Sequence, residues 1–472
     1  MISRLGLAIS QGFRRSAPDP FVLAILLTLV TAVLALTVGF HDPDQPWLAS
    51  RWGAALGLLD TWRSNDGLWR LLAFGMQMCL ILVTGHAVAS APVVRPLLER
   101  VARQPRTTAS AAATVAAVAC AAGLLNWGLG LIVGAVLARE TGASLARRGL
   151  PHHYPLIVAA GYSTMMLWHG GLSGSAPLTV TSAAEAAKVL PKDVVQSIVG
   201  EGIPLSQTIL SPLNLFVTGG LLVLVPIVAA LLAPRDPVDM HPCTCASTAG
   251  SPPSPTSEST SDPPRTLPER LERSPILAWL LAAMLGAGLW RFGRTTGIQG
   301  LGLNEINAAM LALGLVLHRS PLAYMRAVEE AVVGCAGIIL QFPLYAGIMG
   351  MMAASGLVGV IAEGLNAAGG PSAVPALSFT SAGIVNFFVP SGGGQWAIQG
   401  PIALRAGEAA GIAPGKMVMS VAYGDELTNM LQPFWALPLL AITGTKARDI
   451  VGYTAIIMVA GAMWMALGML LF

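Results

Sequence analysis

The chain of 472 residues is 54% hydrophobic and 11% charged, with a mean hydropathy of +0.66. Soluble domains carry about 25% charged residues, so a water-soluble enzyme or binding module is excluded and an all-α polytopic membrane protein is expected. The formal net charge of +3 comes from lysines and arginines spread over loops and not from one basic face, so no nucleic-acid partner is expected.

Crossing ~30 Å of hydrocarbon takes ~20 apolar residues. Arg4, Arg14 and Arg15 precede the first such run, residues 21–40. That run is too long for a signal-peptide core and is expected to stay as the first span. A polar loop with Trp47, Trp52, Trp62 and Trp69 follows, suited to a membrane interface, then a span over residues 71–91. Residues 107–138 form a small-residue stretch with arginines on both flanks: Arg95, Arg100, Arg103 and Arg106 before, Arg139, Arg147 and Arg148 after. Basic loops stay cytoplasmic, so this stretch is expected to enter and leave on one side as a re-entrant hairpin with Asn126 at its tip. One long tilted span with a buried asparagine is the alternative, and it needs one basic flank outside. The next span starts near Tyr154 and is expected to break at His169-Gly-Gly-Leu-Ser173-Gly174-Ser175-Ala-Pro177. A mildly polar loop covers residues 181–206 and a span covers 209–232.

Residues 234–274 are the only long polar stretch, with a Ser/Pro/Thr-rich core at 250–264. They read as a flexible cytoplasmic linker between a first membrane repeat, 1–233, and a second, 275–472. Spans are expected over residues 275–290, 303–317 and 331–352, with a sparsely charged outer connection at 353–371. Residues 372–404 form a second broken stretch. The span at 416–440 contains Asp425 and Glu426, and 450–472 is the last span.

Landmarks in the two halves pair at a separation of roughly 260 residues: Gln77 with Gln341, Asn126 with Asn386, Tyr162 with Tyr423. By the basic-loop count the first hairpin, 107–138, opens from the cytoplasm and the second, 372–404, from outside. Two inverted-topology repeats, each with a hairpin and a broken helix, are a secondary-transporter architecture.

The chemistry is expected at the breaks, because backbone freed from helical pairing cannot face hydrocarbon. Asn386-Phe-Phe-Val-Pro-Ser391-Gly392-Gly393-Gly394-Gln395-Trp396 offers successive backbone N–H groups suited to an anion, with Trp396 as apolar cover for a short alkyl chain. A solvent-exposed glycine loop is the plainer alternative. Ser173 and Ser175 offer a similar turn in the first half. Asp425 and Glu426 are the acids placed deepest in an apolar run, and helical spacing sets Asp425, Asn429 and Gln432 on one face. Gly424 and Pro433 around them suggest a discontinuous helix. A coupling cation, Na⁺ or H⁺, is expected there, unless Asp425 merely starts a helix at the interface. His86 and His169 are either proton relays or packed structural residues.

The sequence carries no metalloprotease His-Glu-x-x-His, no Gly-x-Ser-x-Gly elbow and no phosphate loop, so an enzyme is not expected. Cys79, Cys120, Cys243, Cys245 and Cys335 form no disulfide framework. Cys243-Thr-Cys245 after His241 lacks further close ligands, so no metal or other cofactor is expected.

Several strings resemble the bacterial short-chain fatty acid transporters, nearly end to end. They are Ala17-Pro-Asp-Pro-Phe21, Leu72-Ala-Phe-Gly-Met-Gln-Met78, Val83-Thr-Gly-His-Ala87, Asn126-Trp-Gly128, Ser173-Gly-Ser-Ala-Pro177, Ala323-Tyr-Met-Arg-Ala327, Gln341-Phe-Pro-Leu-Tyr-Ala-Gly-Ile348, Val389-Pro-Ser-Gly-Gly-Gly394 and Gln432-Pro-Phe-Trp-Ala-Leu-Pro438. The resemblance implies uptake of short-chain fatty acids such as acetoacetate and butyrate across the bacterial inner membrane. It also implies kinship with the wider ion-transporter superfamily, which pairs two re-entrant hairpins, often couples to Na⁺ or H⁺ and often forms homodimers. Two departures stand out: the tandem Asp425-Glu426 replaces a single acid, and His169 stands where glycine is common. A cation/proton antiporter or a passive anion channel on the same scaffold is the competing class. The expected substrate site is therefore Asn126, Ser173, Ser175, Asn386, Ser391, Gly392, Gly393, Gly394 and Gln395, with Asp425, Glu426 and Asn429 for the coupling ion.

Overall fold

The computed structural model describes residues 7–9, 11–12, 18–39, 47–187, 189–243, 266–297, 303–366 and 369–472, and all regular secondary structure among them is helical. Helices of nine or more residues are numbered in chain order. The first half holds α1 Pro20–Leu34, α2 Trp47–Arg63, α3 Leu72–Ser90, α4 Val94–Ala102, α5 Thr108–Leu125, α6 Trp127–Arg147, α7 Tyr154–Tyr162 and α8 Pro212–Leu231. The second holds α9 Pro275–Thr295, α10 Leu303–His318, α11 Pro321–Val332, α12 Ala336–Ala354, α13 Leu357–Asn366, α14 Val374–Asn386, α15 Gly392–Ala409, α16 Pro414–Thr428, α17 Pro433–Thr443 and α18 Ala447–Leu471.

Seven helical runs among the described residues are long and apolar enough to cross a membrane: Pro20–Gly39, Thr108–Leu125, Trp127–Arg147, Pro212–Leu231, Pro275–Thr295, Pro321–Ala354 and Ala447–Leu471. Their starts follow local chemistry. Pro20, Pro212, Pro275 and Pro321 occupy first-turn positions, where a missing N–H costs nothing. Asp19, Ser211 and Ser320 accept the freed N–H groups of that turn. Thr107 and Ser110 form a reciprocal capping box at α5.

The element order recurs. Each half presents a helical hairpin (α5–α6, then α14–α15), a helix broken by 3-10 turns (α7, then α16–α17) and a closing helix (α8, then α18). Small residues let the arms of the first hairpin touch each other and α7: a Cβ on Gly130 would lie 2.5 Å from the Gly123 Cα, and one on Gly134 would lie 2.3 Å from the Gly161 carbonyl oxygen of α7.

Several expectations change. The tryptophan-bearing stretch after the first span is not a loop but the 17-residue α2. The outer connection at 353–371 contains α13. The second arm of the first hairpin does not stop at 138 but continues to Arg147, because nothing in that segment breaks a helix. The arm after Ser391 likewise runs past 404 to Ala409. Residues 181–206 are not a solvated loop: short turns at Ala183–Ala186, Lys192–Val194 and Val195–Val199 bury Val194, Val199 and Ile203 in an apolar cluster with Trp396, Met417 and Val421.

The linker's start is held in place. The His241 N–H donates to His153 Nδ1 (3.2 Å) and the Cys243 N–H to His152 Nε2 (2.9 Å). Its other end forms the short helix Leu267–Glu272. The linker core at 250–264 and Cys245 lie outside the described residues.

Candidate functional site

The two broken helices cross deep in the bundle, and each is finished by groups from the other half. α7 ends at Tyr162, and the chain turns through 3-10 segments at Ser163–Met166 and Trp168–Gly170. The break thus begins at Ser163, earlier than the glycine pair suggested. α16 ends at Thr428 and passes through a 3-10 turn at Asn429–Leu431 before Pro433 restarts the helix. Gly424 lies inside α16 and makes no break. Its missing side chain admits the Phe379 carbonyl oxygen, which a Cβ would meet at 2.1 Å.

Freed carbonyls need donors where water is scarce. The Tyr162 hydroxyl supplies one to the Asn429 and Gln432 carbonyls, at 2.7 and 2.9 Å. The Asn214 amide on α8 donates to the Gly170 carbonyl (2.9 Å) and the Ile209 carbonyl (2.7 Å). Its Oδ1 accepts from the Tyr423 hydroxyl (3.0 Å) and the Thr218 hydroxyl (2.8 Å). The pair Tyr162 and Tyr423 therefore stabilises the two breaks reciprocally. The sequence showed the tyrosines only as repeat landmarks and did not reveal Asn214.

The hairpin tips are fastened to these breaks. Asn126 Oδ1 caps α6 by accepting from the Gly128 and Leu129 N–H groups, at 2.9 and 3.3 Å. The Ser173 hydroxyl accepts from the Trp127 N–H (3.0 Å), and the Leu172 N–H donates to the Leu124 carbonyl (2.7 Å). Asn386 is the last residue of α14 and is wholly buried. Its amide nitrogen reaches the Asp425 carbonyl (2.9 Å), Thr428 Oγ1 (3.0 Å) and Asn429 Oδ1 (2.8 Å). The Gln432 amide in turn donates to the Asn386 and Phe387 carbonyls, at 2.7 and 2.9 Å. The two asparagines do not hydrogen-bond each other. One opens the second arm of its hairpin and the other closes the first arm, so their roles are not equivalent.

Aromatic rings fill the space between the tips. Trp127 meets Trp435 edge-on at 4.9 Å between centroids and Trp168 at 6.3 Å, and Phe434 meets Trp435 at 5.1 Å. These rings were not assigned to the site from sequence, although Asn126-Trp127 and the Pro433-Phe-Trp string carry them.

The Ser391 hydroxyl caps α15 by accepting from the Gly394 N–H (3.2 Å). The N–H groups of Gly392 and Gly393 make no hydrogen bond among the described residues. Gly392 is pressed against the first break: a Cβ there would lie 2.5 Å from His169 Nε2 and 2.8 Å from Trp168 Cη2, whereas one on Gly393 would meet open space. His169 itself is buried. Its backbone N–H donates to Glu426 Oε2 (2.8 Å) and its Nδ1 faces the Ala422 carbonyl (3.0 Å). Glu426 thus bridges the halves. Five buried polar atoms here have no protein partner: His169 Nε2, Glu426 Oε1, Asn386 Oδ1, Gln432 Oε1 and Trp168 Nε1.

Some expected members point elsewhere. Gln395 is wholly buried and bridges the hairpin arms, donating to the Ala382 carbonyl (2.9 Å) and Gln399 Oε1 (2.9 Å). Trp396, expected as cover for an alkyl chain, is wholly buried in the separate cluster with Val194 and Met417. Ser175 starts a five-residue helix and is half-buried. Asp425 joins the tip through its backbone carbonyl. His86 lies in another cluster, 3.5 Å from Arg139 and 3.8 Å from Glu330. Two adjoining cavities, of about 450 and 70 Å³, share Pro18, Pro20, Ala447 and Arg448 and extend from Lys446 to Tyr162 and Gln432 at the second break.

Paired hairpins and paired helix breaks, interlocked inside a bundle of apolar helices, define a membrane transporter. The chain belongs to the short-chain fatty acid transporter family: the family model "Short chain fatty acid transporter" matches residues 1–472. It is 39% identical over 476 residues, covering 100% of both chains, to an Escherichia coli (strain K12) protein described as "Putative short-chain fatty acid transporter". A Haemophilus influenzae protein with the same description is 38% identical, with 98% of both chains covered. Among solved structures, the chain is similar to the Alcanivorax borkumensis YdaH transporter, with 16% identity and a TM-score of 0.43 over 96% of this chain and 98% of that one.

Proposed function

We propose that this protein carries short-chain monocarboxylates such as butyrate and acetoacetate across the bacterial inner membrane by cation-coupled secondary transport. One observation carries the reading. The unbonded amides of Gly392 and Gly393 begin an 18-residue helix, and Gly392 lies against Trp168, next to Trp127 and Trp435. Amides at a helix N-terminus suit a carboxylate, and aromatic faces suit a short alkyl chain. Asn126 and Ser173 on the facing tip, with Asn386 and Ser391 on the near one, would shape the pocket. Asp425, Glu426 and Asn429 would serve the coupling cation.

The flanking charges support opposite entry of the two hairpins. Arg103, Arg106, Arg147 and Arg148 border α5–α6, whereas residues 353–371 before α14 contain no lysine or arginine. On that reading the repeats are inverted and the tips re-entrant, and the cavities beside Lys446 and Arg448 form the cytoplasmic route. A co-transported cation is physically reasonable, because moving an anion inward against a negative interior opposes ~2.3 kcal/mol per 100 mV.

The test is uptake of radiolabelled butyrate by proteoliposomes, with leak into protein-free vesicles subtracted. Saturable uptake that acetoacetate competes away is the expected result. Uptake equal to that of protein-free vesicles would end this reading.

A further inference from the structure

Among the buried polar atoms without a partner in the described residues, His169 Nε2 and Glu426 Oε1 belong to two residues joined by a hydrogen bond. His169 Nδ1 faces the Ala422 carbonyl at 3.0 Å, and a carbonyl only accepts, so the neutral ring carries its proton on Nδ1. Nε2 is then a bare lone pair. It is buried without a partner and lies 2.5 Å from where a Gly392 Cβ would sit, beside the free N–H groups that begin α15. The backbone N–H of the same histidine holds Glu426 Oε2 at 2.8 Å, while Glu426 Oε1 is likewise buried and unpartnered.

Other titratable groups nearby are few. α16 carries Asp425 and Tyr423 beside Glu426, and Lys416 at its far end; α5 carries only Cys120, and α15 presents glycine at its start, with Arg405 and Glu408 at its far end. No lysine or arginine lies within ion-pairing distance of Glu426 among the described residues. A buried carboxylate without a countercharge is expensive to ionise. Hard cations such as Na⁺ want a shell of oxygens, whereas here a backbone N–H points at one carboxylate oxygen and the adjacent ring offers nitrogen.

We propose that His169 and Glu426 form one proton-binding unit at the α15 N-terminus, and that a proton held there, not Na⁺ at Asp425, accompanies each carboxylate. This rests on the monocarboxylate-carrier reading above. A proton on Nε2 turns the lone pair into a donor beside the Gly392 and Gly393 amides, so anion and proton bind together. Once the anion leaves, the buried imidazolium loses its countercharge, and the proton departs on the same side. One carboxylate and one proton move with no net charge.

The experiment uses the full chain in proteoliposomes at pH 7.5, with protein-free vesicles subtracted. In Na⁺-free buffer, an inside-alkaline gradient should drive saturable butyrate uptake, and entrapped pyranine should report proton entry on adding acetoacetate. Glu426→Gln should cut gradient-driven accumulation at least tenfold more than it cuts exchange at equal concentrations. His169→Gln should lose the acid limb of the uptake pH profile. Uptake that needs Na⁺ and ignores the pH gradient would overturn the proposal, as would gradient-driven accumulation surviving in Glu426→Gln while Asp425→Asn abolishes it. If Glu426→Gln abolishes exchange as well, wild-type proton entry and the His169→Gln profile decide. Saturable exchange by the wild type separates failure of this proposal from failure of the carrier reading, which predicts exchange whatever the ion.

Discussion

Replacing Gly392 by alanine adds one methyl group at a close contact between the two halves. The new Cβ would lie 2.5 Å from His169 Nε2, 2.8 Å from Trp168 Cη2 and 3.0 Å from His169 Cε1. The imidazole cannot swing aside freely, because Nδ1 is held by Ala422 and the Trp168 ring lies 3.7 Å away, centroid to centroid. Overpacking of this kind costs about 1–3 kcal/mol, and the helical gain of alanine over glycine returns only about 0.5–1 kcal/mol. A net loss near 1–2 kcal/mol is expected, read as a lower Tm in detergent. Displacement of the ring from the α15 N-terminus should also reduce butyrate uptake in proteoliposomes. Gly393→Ala is the internal comparison. Its Cβ meets nothing within 4 Å, so stability should hold or rise slightly, and any loss of uptake would come from the methyl group beside the proposed carboxylate site. If Gly392→Ala keeps the wild-type Tm and uptake, His169 does not pack against the start of α15 and the site as described here is wrong.

Asn386→Ala removes the donor shared by Asp425, Thr428 and Asn429 and leaves buried acceptors behind, so a loss of roughly 2–4 kcal/mol in thermal unfolding is expected. An unchanged Tm would show that the second tip is not anchored this way. Tyr162→Phe deletes only the hydroxyl that serves the Asn429 and Gln432 carbonyls and should cost about 1–3 kcal/mol, with faster amide exchange measurable at residues 429–432; unaltered exchange there would count against the reciprocal support of the breaks. Burial holds the His152 imidazole below its usual pKa, so its neutral form is the one that accepts the Cys243 N–H. That docking is fully present above the unperturbed value of about 6.5 and is lost as pH falls through the lowered one. His152→Ala should therefore speed trypsin cleavage after the exposed Arg235 at pH 7.5, and equal cleavage rates would refute the clamp.

The sequence by itself determined the class of protein, most of the spans and the places where helices stop. These are local properties: a run of apolar residues sets a span, and Asn126, Ser391 and Gln432-Pro433 stand where one helix ends and the next begins. Asn386, Asp425, Glu426 and Asn429 also stand out in the sequence, because polar groups in apolar runs are costly, and the structure buries all four. The sequence left undetermined which way each side chain turns. In a soluble protein the polar face of a helix marks solvent, but here lipid and core are both apolar and periodicity loses that meaning. Gln395 and Trp396 adjoin the glycine turn in sequence, yet one bridges the hairpin arms and the other packs in a remote cluster. The stretch that forms α2 read as a loop because its tryptophans suggested a membrane interface, and the one that contains α13 read as an outer connection because it carries a single charge, yet both are helical. The meeting of His169 with Glu426 and Gly392, and of Tyr162 with Asn429, joins residues more than 200 positions apart. Only the crossing of the two broken helices decides those contacts, because the Asn429 and Gln432 carbonyls at the second break take their donor from Tyr162 and the His169 N–H at the first break finds its acceptor in Glu426.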